Sequence, residues 1–178
     1  FVNYFVVGFI FAAALAAEGR KVFFVENTGF RNPDWKDLPR LLRRARNLAR
    51  TSTADGTNAV PDGLRVISPR VLPPTWGLLR LLNSRIFLPG LLRQLARAGL
   101  RPGASCVVYA PTATTVELVR SLKPGAVLYD CASNFRAHPR APRDCPRQER
   151  ELLALTDQVV CDSDFLLAQK KPEHAFVE

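Results

Sequence analysis

Short apolar runs alternate with stretches of helical periodicity along most of the chain. The runs are KVFFVE (21–26), LRVISP (64–69), SCVVYAP (105–111), AVLYDC (126–131) and DQVVCDS (157–163). Helical spacing between them predicts helices near 38–50, 77–98, 112–122, 147–156 and 164–171. Strands this short and this apolar suit a sheet covered on both faces. Their alternation with helices predicts βαβ units and an α/β fold with a doubly wound, mostly parallel sheet. One polar, turn-rich linker, TSTADGTNAVPDG (51–63), is too short to divide the chain, so a single domain over 1–178 is expected.

The first seventeen residues, FVNYFVVGFIFAAALAA, carry no charge and run straight into EGRKVFFVEN. A membrane anchor, a signal segment and an interior helix all fit such a run. A span needs roughly 20 apolar residues, and this run is shorter. A signal segment would have a cationic start and a cleavage site. Closure on Gly19 followed at once by a β-rich run instead marks a helix-to-strand junction, with glycine as the C-cap. The expectation is an interior helix packed on the sheet, with a strand missing upstream of it. The chain has no methionine and opens inside the apolar run, which suggests a piece of a longer protein.

With 47% apolar residues the chain can bury one good core. Lys and Arg number 25 against 16 Asp and Glu, a net charge of +9. That excess favours anionic surroundings: acidic lipid, phosphorylated ligands or nucleic acid. Cys106, Cys131, Cys145 and Cys161 form no C-x-x-C pair and have only two histidines for company, so no metal site is expected. Three of them sit in or beside apolar runs and read as small buried hydrophobes. Nothing demands an oxidising compartment, and a cytoplasmic setting follows.

Ligands of open α/β sheets bind beyond the carboxyl ends of the strands. Those ends carry Asn27, Thr28 and Arg31 after the first run and Pro111 and Thr112 after the third. Asp130, Ser133, Asn134 and His138 lie at or after the end of the fourth, and Ser163 after the fifth. Helix N-termini at such places offer free N–H groups to phosphate or sugar hydroxyls, although Thr112 and Ser163 also serve as plain N-caps. There is no GxGxxG, no GxxxxGK[ST] and no Gly-x-Ser-x-Gly elbow. No catalytic residue is identified.

LPRLLRRARNLAR (38–50) places Leu41, Leu42, Ala45, Leu48 and Ala49 on one helical face. Arg40, Arg43, Arg46 and Arg50 lie opposite, with Arg44 at the boundary. A basic amphipathic helix can lie on an anionic membrane, or simply pack its leucines on the domain. A second apolar-basic segment, 76–100, is expected to break at Pro89-Gly90. Aromatic residues do not interleave with the basic ones, so nucleic acid is not the expected partner.

AVLYDCASNF, followed by ERELLALTDQVVCDSDFLLAQKK, resembles the N-terminal half of bacterial GT-B glycosyltransferases of the group 1 type. These build cell-wall, teichuronic-acid-like or capsular polysaccharides. The matching elements are Tyr129-Asp130-Cys131, Glu149 to Leu153, Asp157, Val159 to Ser163, and Leu166 to Lys171. LAAEGRKVFFVENTGFR is similar to the family's first helix and second strand, and YAPTATTVELV to its Y-x-P-T strand end and helix. The chain departs from the pattern at Ser133 and Asn134, where the family often has two acids, and at Arg20, where it usually has histidine.

The resemblance implies the acceptor-side Rossmann-like domain of an enzyme with two such domains facing across a cleft. It implies no cofactor bound here, with the nucleotide-sugar donor held by an absent C-terminal domain and this half inactive alone. The acceptor would be a glycan or lipid-linked glycan at the inner face of the cell membrane. Two other readings stay open: a non-catalytic membrane-associated module with an apolar anchor, and a basic nucleic-acid-binding α/β domain.

Overall fold

The computed structural model describes residues 4–26, 62–69, 77–139 and 141–178. Helix α1 (Tyr4–Ala17) closes at Gly19, whose φ of +82° is the left-handed conformation that glycine adopts without a Cβ penalty. Its N–H bonds the Ala16 carbonyl at 2.9 Å, and the chain reverses into strand β1 (Val22–Val25). Strand β2 (Leu64–Ile67) pairs with β1 in parallel, Val22 opposite Leu64 and Val25 opposite Ile67. Helix α2 (Gly77–Leu82), a π-helical turn (Asn83–Phe87) and helix α3 (Leu88–Arg97) follow without a break.

The remainder is a run of βα units. It comprises β3 (Ser105–Val108), α4 (Ala113–Leu122), β4 (Ala126–Cys131), a 3-10 turn (Phe135–Ala137), α5 (Cys145–Leu153), β5 (Gln158–Cys161) and α6 (Asp164–Lys170). Strands β3, β4 and β5 form a parallel sheet in that order. The final residues lie along the far edge of β5. The Val159 N–H donates to the Phe176 carbonyl at 2.9 Å, and the Cys161 N–H to the Glu178 carbonyl at 2.7 Å. Gly125 leads into β4 where two backbone segments nearly touch, since a Cβ there would stand 2.5 Å from the Gly103 carbonyl oxygen.

Alternation along the strands separates the packing into layers. Val22, Phe24 and Leu64 meet Ala12 and Ala16 of α1 on one face. Phe23, Val25 and Ile67 belong to the cluster of Leu91 and Leu95 of α3, joined by Leu118 and Leu122 of α4. The largest core lies over the second sheet, where Val108, Val127, Tyr129 and Val159 pack with Val116, Val119, Leu152, Leu153 and Leu166. The four cysteines are free thiols, and burial pushes those of Cys106, Cys131 and Cys145 up to about 11. Of the three read as small buried hydrophobes, Cys131 is buried and Cys106 and Cys161 are half-buried, whereas Cys145, outside those runs, is buried as well.

All five expected strands form, together with helices at 4–17, 77–97, 113–122, 145–153 and 164–170. Three expectations change. The described strands form two parallel sheets, of two and three strands, rather than one. The break expected at Pro89-Gly90 is not there. Pro89 stands in the first turn of α3, and the irregularity falls instead on the π-helical turn just before it. Helix α1 is only half interior: Ala12 and Ala16 are buried, whereas Ile10 is 61% and Phe11 44% exposed. Among the described residues no helix is long and apolar enough to cross a membrane.

Candidate functional site at the carboxyl ends of the second sheet

Strand β4 turns Tyr129 and Cys131 into the core and Asp130 to the opposite face. Asp130 is half-buried, and among the described residues nothing pairs or hydrogen-bonds with its carboxylate. Burial, then the charge of Asp162 just beyond β5, raises its pKa above the ordinary aspartate value. Tyr109, just after β3, stands close enough that its phenol is pushed up to about 12, by burial first and by Asp130 second. The Tyr109 ring packs over Gly8 of α1, where a Cβ would sit 3.1 Å from the ring.

From Tyr109 the chain passes through buried Ala110 and Pro111 to Thr112, the N-cap of α4. The Thr112 hydroxyl accepts from the Thr115 N–H at 3.1 Å and lies 2.8 Å from the Thr115 hydroxyl. Thr114 in the same turn is buried, and among the described residues its hydroxyl has no hydrogen-bond partner. A buried hydroxyl in that state is unusual.

Ser133, Asn134 and His138 follow β4 in the loop that carries the 3-10 turn. Asn134 is committed locally, its side-chain oxygen accepting from the Ala137 N–H at 3.3 Å. Ser163 holds the N-cap position of α6 without a side-chain cap bond and is exposed. The structure therefore brings Asp130 together with Tyr109 and Asp162, and leaves Ser133, Asn134, His138 and Ser163 on the rim. Asn27, Thr28, Arg31, Arg40, Arg43, Arg44, Arg46 and Arg50 lie outside the described residues.

Beneath this rim is an ionic network that the residue-by-residue reading did not find. Glu149 of α5 is fully buried. It accepts from the Tyr129 hydroxyl at 3.0 Å, pairs with the Lys170 ammonium at 2.7 Å and bonds the Arg136 guanidinium. Arg136 also forks onto both oxygens of Glu173. The network pins the loop after β4 onto α5 and α6. Glu149 and Lys170 fall within the matching segments Glu149 to Leu153 and Leu166 to Lys171, but spacing alone could not reveal that they meet. Tyr109, Asp162 and Thr114 were missed as well, the first lying inside the Y-x-P-T strand end.

The chemistry offered is mixed. Threonine hydroxyls both donate and accept, while Asp130 and Asp162 only accept. A phosphate needs donors and is repelled by paired carboxylates; a sugar hydroxyl, which donates and accepts, suits the set. Among the described residues no group of three or more His, Cys, Asp or Glu side chains could hold a metal ion. A cavity of about 620 Å³ lies at the amino end of β5, lined by Arg150, Thr156, Asp157, Glu173, His174 and Phe176. That end is opposite to where open α/β sheets bind ligands. No family model and no curated protein matches the chain.

Proposed function

We propose that this chain is the acceptor-side domain of a GT-B glycosyltransferase that moves a sugar from a nucleotide-sugar to a cell-surface polysaccharide or lipid-linked acceptor. In that reading its sheets belong to one Rossmann-like, doubly wound unit, and a partner domain holds the donor. The motif resemblance supports the class. The observation that carries the site is Asp130, a half-buried carboxylate with no partner among the described residues at a strand's carboxyl end. A carboxylate kept in that condition is poised to accept from a substrate hydroxyl. In the reaction the acceptor oxygen bonds the anomeric carbon as the bond from that carbon to the diphosphate breaks. The nucleoside diphosphate leaves, and the acceptor proton passes to a base.

Asp130→Asn tests this. Methyl pyranosides titrated into the chain are expected to perturb the amides of Tyr109 to Thr112 and of Asp130. The variant should bind about tenfold more weakly, the loss of one hydrogen bond to a charged group. The same variant should melt at a higher temperature at pH 7. Because the folded pKa is raised, the folded state holds its proton to higher pH than the unfolded state. The ionised carboxylate therefore costs stability above the folded pKa, and that cost fades as pH falls from the folded to the unfolded value. Unchanged pyranoside binding, or tight nucleotide-sugar binding by this chain alone, would overturn the reading. A lowered melting temperature would make Asp130 a structural strand-end residue instead.

The same reading places the domain at an anionic membrane. Leu78, Leu81 and Ile86 are exposed along α2 and the π-helical turn, with exposed Arg85 beside them. Exposed leucine and isoleucine next to a cation suit an interfacial contact. Co-sedimentation with phosphatidylglycerol vesicles is expected, weakened both by Leu78→Ser with Ile86→Ser and by Arg43, Arg44 and Arg46 changed to Glu. If neither set of changes alters vesicle binding, membrane docking is wrong.

A further inference from the structure

Cys131 and Cys161 stand directly opposite each other on the neighbouring strands β4 and β5. Both side chains turn to the same face, since Cys131 belongs to the core over the second sheet and Cys161 packs against it. A side-chain hydrogen bond joins the two thiols. The remaining cysteines are placed differently: Cys106 stands opposite Val127, and Cys145 opens α5.

The geometry permits a bond between the two sulfurs. Opposed residues of adjacent strands lie about 4.8 Å apart, inside the range of about 4.4–6.8 Å between Cα atoms that a disulfide spans. The Cβ atoms of a disulfide come to about 3.8 Å, so the strands must draw together locally. Position makes that possible. Each cysteine is the last residue of its strand, and the β4–β5 ladder ends with this pair. A strand end can yield to such a pull where the middle of a sheet, held by rungs on both sides, would not.

The two thiols differ in access. Cys131 is fully buried, with its sulfur 3.8 Å from the Ser133 carbonyl oxygen, whereas Cys161 is half-buried. An oxidant from solvent therefore meets Cys161 first, and Cys131 stands behind it to resolve the product. Burial raises the pKa of both thiols, that of Cys131 to about 11, and the Lys170 ammonium opposes the rise. The thiolate is the reactive form, so its scarcity at neutral pH makes the pair slow. A slow pair answers sustained oxidation, not a brief pulse.

We propose that Cys131 and Cys161 form a redox-active dithiol, closed to a disulfide by a hydroperoxide, that ties together the two strand ends flanking the candidate site. First the Cys161 sulfur attacks a peroxide oxygen. The S–O bond forms as the O–O bond breaks, leaving a sulfenic acid and releasing water or an alcohol. Then the Cys131 sulfur attacks the Cys161 sulfur. The S–S bond forms as the S–O bond breaks, and the Cys131 proton leaves with the hydroxide as water. The sulfurs together lose two electrons and the peroxide gains them; a thiol reductant reverses the closure. The bond reaches the site because Asp130 immediately precedes Cys131 and Asp162 immediately follows Cys161. Closure fixes the separation of those two acids, whichever ligand the site takes and whether or not the domain serves a glycosyltransferase.

The test treats the folded chain with hydrogen peroxide at mildly alkaline pH and alkylates the thiols that remain. A urea-unfolded sample controls for the strength of the reagent. Trypsin leaves the four cysteines on four different peptides, so the partners of any bridge can be read by mass. The expected product is a monomer with the Cys131 and Cys161 peptides joined, reopened by dithiothreitol. Exchange of the Asp130 and Asp162 amides should slow at least about tenfold in the oxidised form. Cys161→Ser should abolish the bridge, and Cys131→Ala should stop the reaction at a Cys161 sulfenic acid that dimedone traps. The peptide map of the unmutated chain stands even if either variant misfolds. No bridge in the folded chain, under conditions that oxidise the unfolded one, overturns the dithiol. A bridge to Cys106 or Cys145, or between two chains, overturns it too. A Cys131–Cys161 bridge that leaves exchange at Asp130 and Asp162 unchanged overturns the tie to the site.

Discussion

Glu149→Ala is expected to destabilise the domain by about 3–5 kcal/mol, the range for removing one member of a buried ion pair. The cause is less the lost attraction than the charge left behind. Lys170 is 1% exposed and has the Glu149 carboxylate at 2.7 Å. Without it an ammonium stays in the core beside an orphaned Tyr129 hydroxyl. Lys170→Met should cost less, because Glu149 keeps Arg136 and Tyr129 as partners. The double variant should cost less than the sum of the two, since neither buried charge remains. Urea denaturation checks this, and a Glu149→Ala cost under about 1 kcal/mol would contradict the burial argument. The consequence reaches the candidate site, because Arg136 belongs to the loop of Ser133, Asn134 and His138. The outer Arg136–Glu173 pair titrates the other way from Asp130. Its bond to Arg136 lowers the Glu173 pKa, so its stabilisation is full above the unfolded value and is lost as pH falls through the folded one.

Leu152→Ala is expected to cost about 2–5 kcal/mol, the span for truncating a fully buried leucine. Leu152 is 0% exposed and belongs to the cluster formed by β3, β4 and β5 with α4, α5 and α6. Its removal takes packing from a layer with no flexible methionine to refill the space. The same truncation at Leu95, 1% exposed in the other cluster, provides a comparison. If both variants shift one cooperative transition, the two sheets unfold as one unit. If Leu152→Ala costs under about 1 kcal/mol, the site collapses around the deletion and the core is looser than its burial indicates.

The site was partly legible in the residues. Asp130 and Thr112 could be picked out because strand ends and N-caps are local features of a chain. That Asp130 would stand beside Tyr109 and Asp162 could not, because the three residues come from three different strand ends. Glu149 illustrates the same limit. In sequence it is one acid among several on a helix, and only the approach of Lys170 and Arg136 makes a buried charge tolerable there. The reading of α1 erred for a related reason. Absence of charge says that a helix avoids no apolar neighbour, but not how much of its circumference a neighbour covers, and Ile10 and Phe11 are left exposed.

The sequence by itself determined the order and type of the elements. Runs such as VFFV, LRVI, SCVV, AVLYDC and QVVC are apolar over a strand's length, and turn and cap residues such as Gly19 and Thr112 act within a few positions of themselves. Those are short-range effects, and they survive into the fold almost unchanged. The tertiary structure alone decided that the described strands pair into two sheets, that Glu149 and Lys170 are buried together, and that Asp130 has no partner among the described residues. Pairing, burial of charge and the field around a carboxylate depend on groups distant in the chain, and no local period encodes which of them meet.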